Sequence, residues 1–170
     1  MIAFKTILFS IFVPGTVVGV IPYLILTRGP HIPVFSSGVA RYAGVVPVIA
    51  GVLIFLTSAR NFVTLGKGTP APVDPPKRLV TSGPFRVVRN PMYVSGILIL
   101  LGEFIISGSG AILLYLFFIW LIFHLFIIFY EEPHLMKVFG TPYEKYCSEV
   151  PRWMPHLRKI PGKPQIKDSL

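Results

Sequence analysis

The sequence predicts an all-α, polytopic membrane protein of about four transmembrane helices, with a C-terminal helical hairpin and a cytosolic amphipathic tail helix. Three observations lead there. Of 170 residues, 53% are hydrophobic and only 14% charged, whereas soluble domains average about 25% charged. Mean hydropathy is +0.70. From Asn90 to Tyr130, 41 residues carry only Glu103 and His124 as ionisable groups, tyrosines aside. That stretch is too long for one span and long enough for two.

The elements follow in order. Thr6 to Leu26 is uncharged and long enough to span. Pro14 and Pro22 do not exclude it, because membrane helices tolerate proline where neighbours satisfy the freed carbonyls. It reads as a span and not a cleavable leader, since its apolar run is too long and lacks a small-residue cleavage site. Tyr42 to Ala59, bounded by Arg41 and Arg60, is the second span. Gly66–Pro76, with four prolines and two glycines, reads as an extended linker. Met92 to Ile106 and Ala111 to Tyr130 are the third and fourth spans, turned by Ser107-Gly108-Ser109-Gly110. Residues 1–65 thus form an N-terminal pair of spans. Residues 66–170 form a second region of linker, hairpin 92–130 and tail helix 141–150.

Lys and Arg set the orientation. Arg60, Lys67, Lys77, Arg78, Arg86 and Arg89 precede the third span, and seven more basic residues follow Tyr130. The opposite side has only Arg28 and Arg41. The positive-inside rule then puts both termini and the middle loop in the cytosol. The net charge of +9 reads as anchoring to anionic lipid and not as a nucleic-acid footprint, because the basic residues flank apolar spans. The single Cys147 excludes an intramolecular disulfide and a cysteine metal cluster.

In the tail, Thr141-Pro142-Tyr143-Glu144 has the pattern of a Thr N-cap, Pro at the first helical position and Glu three after the cap. Tyr143, Tyr146, Cys147 and Val150 fall on one face, and Pro151 ends the helix. This helix should lie on the membrane or roof the bundle. Beyond Pro161 the chain reads as frayed.

Several residues could carry chemistry. On the third span Tyr93, Gly96, Leu100 and Glu103 share a face, and Ser95 with Gly102 forms a small-residue stripe that admits a close neighbour. On the fourth, Trp120, His124, Ile127 and Glu131 share a face. An ionisable group within a membrane is a functional candidate, because its burial is costly. Plain alternatives stand beside each: Glu103 touching the far interface, His124 bonding a neighbouring helix. Arg89 and the Glu131–Glu132 pair could be interfacial anchors. Against that, Asn90-Pro91 sets Arg89 at a helix N-terminus, where the dipole favours anions. Adjacent carboxylates repel, which points to a cationic or polyhydroxyl partner. The hairpin brings both clusters to one membrane face, where a small polar cofactor could meet a lipid-like substrate.

The motifs Gly83-Pro84-Phe85, Arg89-Asn90-Pro91-Met92-Tyr93 with Gly96, Tyr130-Glu131-Glu132-Pro133, Phe139-Gly140-Thr141-Pro142-Tyr143-Glu144-Lys145-Tyr146 and Val150-Pro151-Arg152 follow in order. This succession resembles the isoprenylcysteine carboxyl methyltransferase and phospholipid N-methyltransferase group of integral membrane methyltransferases. The resemblance covers about Arg78 to Pro155. It implies S-adenosyl-L-methionine as methyl donor, bound on the cytosolic side, and a lipid-like or prenylated acceptor entering from the bilayer. It implies Arg89, Asn90, Pro91, Tyr93, Gly96, Glu131, Glu132, Tyr143 and Tyr146 as cofactor-binding residues. Arg89, His124 and Glu131 are the candidates for catalysis. Asn-Pro-Met-Tyr and Tyr-Glu-Glu-Pro are similar to the phospholipid enzymes, whereas the Phe139–Tyr146 tail resembles the carboxyl methyltransferases and favours O-methylation of a carboxylate. No metal is needed for either reaction. Other readings are an NADPH-dependent sterol-type reductase relative and a non-catalytic membrane protein that keeps the fold.

Overall fold

The computed structural model describes residues 12–30, 32–35, 38–66 and 78–155. Among them the architecture is entirely helical, apart from one isolated bridge between Pro33 and Ser109. Five helices carry it: α1 (Phe12–Arg28), α2 (Val39–Gly66), α3 (Pro91–Ser107), α4 (Gly110–Phe139) and α5 (Thr141–Glu149). The expected linker core, the start of the first span and the chain beyond Pro161 lie outside the described residues.

Two helices, α2 and α4, are long and apolar enough to cross a membrane, at 28 and 30 residues. At the α-helical rise they extend roughly 40–45 Å, beyond a hydrocarbon core of about 30 Å. Both overrun their expected ends. Arg60 does not stop α2, which adds a wide π-type turn over Phe62–Gly66. Nor does α4 stop at Tyr130. Pro133 has no N–H for the carbonyl one turn earlier, and the helix absorbs the lost bond by widening over Ile127–Glu131. The Glu132 N–H then reaches the Ile127 carbonyl, five residues back. A matching wide turn in α1, Thr16–Val20, precedes Pro22.

The α3 helix occupies the centre. The Ser95/Gly102 stripe does admit a neighbour, α2, which answers with Gly44 and Gly51 at the same seven-residue interval. A Cβ on Gly44 would lie 2.6 Å from the Gly102 carbonyl oxygen, and one on Gly51 would lie 2.6 Å from that of Ser95. Side chains larger than hydrogen would hold the two backbones apart, so these glycines set the interhelical distance.

The helix α4 folds back along α3 through Gly108, whose φ of 64° suits a residue without Cβ. The segment after α1 stitches this turn in place. Val34 N–H donates to the Gly108 carbonyl (2.9 Å) and Gly110 N–H to that of Ile32 (2.6 Å). Within the bundle, Tyr115 Oη donates to the Val17 carbonyl at 2.9 Å and ties α4 to α1.

At the other end, α5 roofs the connection into α3. Its cap differs from the expectation: Gly140, at φ 58°, is the N-cap and Thr141 the first helical residue, with no side-chain capping bond. The Gly140 carbonyl instead receives the N–H groups of Tyr143 and Glu144. Tyr143 and Tyr146 are buried, as their shared face predicted. Tyr146 Oη donates to the Phe85 carbonyl at 2.6 Å.

Candidate functional site

The segment leading into α3 assembles one end of the site. Pro91 opens the helix at its first position, where a missing N–H loses no bond. Asn90, just before it, stays non-helical at φ −121°, ψ 57°. Its side chain makes no cap; Nδ2 donates to the Arg152 carbonyl at 3.4 Å. The Arg89 N–H donates to the Pro151 carbonyl at 2.8 Å. Residues 151–152 therefore lie across the start of α3.

The two adjacent glutamates part company at the wide turn of α4. Glu131 accepts a hydrogen bond from Tyr93 Oη at 2.7 Å. Glu132 accepts from Arg152 through both oxygens, Nε to Oε1 at 2.8 Å and Nη2 to Oε2 at 2.7 Å. Arg89 Nη1 lies 3.3 Å from Glu132 Oε1. The bonds to Glu132 hold the Arg152 guanidinium above its ordinary pKa, against a smaller opposing effect of burial. So the mutual repulsion expected of the carboxylates is relieved within the protein, by a phenol on one and two guanidinium groups on the other.

The wide turn also overturns one expected face. In an uninterrupted helix Glu131 sits two turns from His124 on the same side. The extra residue in the turn rotates Glu131 by roughly 100°, onto the side of Phe123. Phe123 and Glu131 accordingly line a common cleft, and His124 does not. The imidazole instead stacks on Trp120, with centroids 5.2 Å apart and planes 12° from parallel. Its Nδ1 accepts from Trp153 Nε1 at 3.2 Å. His124 thus fastens the tail, away from Arg89 and Glu131.

The cleft has a volume of about 330 Å³, within the range of small-molecule sites. Its polar end is formed by Arg89, Asn90, Tyr93 and Glu131; its body is apolar, walled by α1, α2 and α3. Gly96 and Pro91 are part of the wall. A Cβ on Gly96 would meet Phe123 and Val18 at 3.8 Å, ordinary contact, so the glycine keeps space open without being forced by packing. The Arg89 Nε is buried and has no hydrogen-bond partner. The same holds for Glu103 Oε2, farther along α3.

Of the expected site residues, the structure brings Arg89, Asn90, Pro91, Tyr93, Gly96 and Glu131 to one cleft. Glu132 stands behind Arg89. Tyr143 and Tyr146 do not line the cleft; burial pushes both phenols above their usual pKa, and Tyr146 is engaged by Phe85. Sequence reasoning did not place Arg152 or Trp153 in this cluster. Their partners are 20 and 29 residues away, beyond any helical periodicity. The Val150-Pro151-Arg152 motif was the only available signal.

No curated protein and no solved structure matches the chain. The model of the phospholipid methyltransferase family matches residues 39–142, more than half of the sequence. That range runs from the first turn of α2 to the start of α5 and contains every residue at the polar end of the cleft. With its all-helical bundle and two membrane-length helices, the chain belongs to the phospholipid methyltransferase family.

Proposed function

We propose that this membrane protein transfers the methyl group of S-adenosylmethionine to an amphiphilic, lipid-like acceptor. One observation carries the reading: a single cleft joins a guanidinium and a carboxylate at its polar end to an otherwise apolar body. When bound, S-adenosylmethionine supplies an electrophilic methyl group on a sulfonium sulfur. Its amino-acid end is a zwitterion, and the cleft has a complement for each charge. Arg89, whose Nε is buried and unpartnered, would take the carboxylate by a charge-assisted bond. Glu131, oriented by Tyr93, would take the ammonium. The apolar walls would seat the acceptor's chain and exclude water, which holds the reacting groups in near-attack geometry and leaves the charges unscreened.

Two acceptors have support. A carboxylate on a prenylated or similarly apolar molecule needs orientation but no base. The cleft favours it, because His124 is turned to Trp153 and Glu131 is engaged by Tyr93. A phospholipid amine is favoured by the family that matches, and it must lose a proton before attack. Labelled-methyl transfer to prenylated thiols, phosphatidylethanolamine and lipid extract separates them. The carboxylate reading expects a rate flat between about pH 6.5 and 9; a steep alkaline rise would establish the amine.

Calorimetry in detergent tests the reading itself. Binding of S-adenosylhomocysteine and not of NADPH is expected, and the reverse result overturns it. The basic residues at the polar end, with those of the tail, support an orientation in which that end and both termini face the cytosol by the positive-inside rule. A reporter fused after Leu170 that reads out on the other side would refute this orientation.

A further inference from the structure

We infer that Arg152 and Glu132 are positioning residues of this site: Arg152 occupies both oxygens of Glu132, and so keeps the Arg89 guanidinium available to an anionic group in the cleft. The inference rests on the reading above in taking the cleft as the ligand site. It starts from a competition. Two guanidinium groups converge on one carboxylate, whose two oxygens can take the two-pronged contact of only one of them. The distances say which. Arg152 makes the two-pronged contact at 2.8 and 2.7 Å, the geometry in which arginine and carboxylate bind most strongly. Arg89 approaches only to 3.3 Å through Nη1, and its buried Nε has no hydrogen-bond partner. Of the three groups only Arg89 lines the cleft.

Arg152 is itself fixed from both sides. The Pro151 carbonyl accepts from Arg89 N–H, the Arg152 carbonyl accepts from Asn90, and the Trp153 indole donates to His124. Its guanidinium is therefore delivered to Glu132 from a set position. Without it, Glu132 would have Arg89 as its sole cation among the described residues, and the Arg89 fork would turn onto the carboxylate and away from the cleft. Removing the Glu132 charge as well would release Arg89 again. A residue that served only to fasten the tail would not behave so.

The test is S-adenosylhomocysteine binding by calorimetry on the full chain in detergent, for wild type, Arg152→Gln, Arg152→Lys and the double variant Glu132→Gln/Arg152→Gln. Arg152→Gln should raise Kd about tenfold, the double variant should return to within about threefold of wild type, and Arg152→Lys should fall between. Tryptophan emission from Trp120 and Trp153 reports whether the tail stays docked. Wild-type affinity in Arg152→Gln overturns the inference, as does a double variant that binds no better than the single one. Should Arg152→Gln fail to fold, Arg152→Lys carries the test: a Kd equal to wild type overturns the inference. Should wild type bind no S-adenosylhomocysteine, the cofactor reading fails, and thermal shift with sulfate takes over. Sulfate should then stabilise wild type and the double variant more than Arg152→Gln; absence of that order overturns the inference too.

Discussion

Gly51 and Gly96 offer a matched pair of substitutions with opposite expected outcomes. Both are helical glycines in the bundle. Alanine at Gly51 would place its Cβ 2.6 Å from the Ser95 carbonyl oxygen and 2.7 Å from Ile99 Cγ1. Ordinary contact begins near 3.4 Å, so α2 and α3 would have to part by several tenths of an ångström. The nearer atom is backbone and cannot rotate away. Overpacking of this kind costs about 1–3 kcal/mol, against a gain of up to about 1 kcal/mol from the better helix former. The net is a loss of roughly 0–2 kcal/mol. Alanine at Gly96 meets nothing nearer than 3.8 Å. It keeps the propensity gain and should stabilise by about 0.5–1 kcal/mol. Thermal unfolding in detergent should therefore rank Gly96→Ala above wild type and Gly51→Ala below it. Gly96→Ala should at the same time narrow the acceptor range, because its methyl enters the cleft. A lower Tm for Gly96→Ala than for Gly51→Ala would refute the reasoning.

Other outcomes follow from the same geometry. Glu131→Gln should weaken S-adenosylhomocysteine binding by about 1.5–3 kcal/mol, the worth of a hydrogen bond to a charged group, with an unchanged Tm; calorimetry showing intact affinity would remove Glu131 from the site. His124→Ala should leave methyl transfer largely intact and red-shift the Trp153 emission, since its imidazole holds the indole and not the cleft; abolished transfer with a docked tail would return His124 to the chemistry. Tyr146→Phe should lower stability by about 1–2 kcal/mol through loss of its buried bond to the Phe85 carbonyl, read as a fall in Tm. The raised pKa values of Tyr143 and Tyr146 mean that the folded state keeps protons which the unfolded chain releases above its ordinary value of 10.0. Their contribution should be constant below about pH 10 and lost above it, and an alkaline melting series that is no flatter in Tyr146→Phe would contradict this.

Much of this fold was legible because apolar helices announce themselves by composition, and their turns by Gly and Ser, although within the described residues only α2 and α4 of the four expected spans reach membrane length. The Ser95/Gly102 stripe was legible as a place for a close neighbour. The identity of that neighbour was not, since Gly44 and Gly51 carry no mark that distinguishes them from other glycines. The buried face of α5 followed from its spacing, while its cap did not: Thr141 has the right chemistry, but Gly140 alone takes φ 58° without strain. The partners of Arg152 and Trp153 were illegible for a different reason. They are set by how the tail returns over the bundle, which no local pattern encodes.

The least legible feature is also the one that organises the site. Pro133 was readable as a motif residue, and its helix continues past it. What matters is how the helix accommodates the missing N–H. The wide turn at Ile127–Glu131 keeps the helix unbroken to Phe139 and inserts one residue of rotation. Two adjacent carboxylates with identical chemistry then face different partners, Glu131 the cleft and Tyr93, Glu132 the two arginines. Their adjacency in sequence suggested one shared ligand. On the proposed reading their labour divides: Glu131 would meet the ligand and Glu132 would arrange the cations beside it. Replacing Pro133 by alanine would restore the N–H and allow a regular helix. Glu131 would then rotate back toward His124, away from Tyr93, and ligand affinity should fall although no atom of the cleft has been removed. Retention of full affinity in Pro133→Ala would show that the turn is held by tertiary contacts and not by the proline.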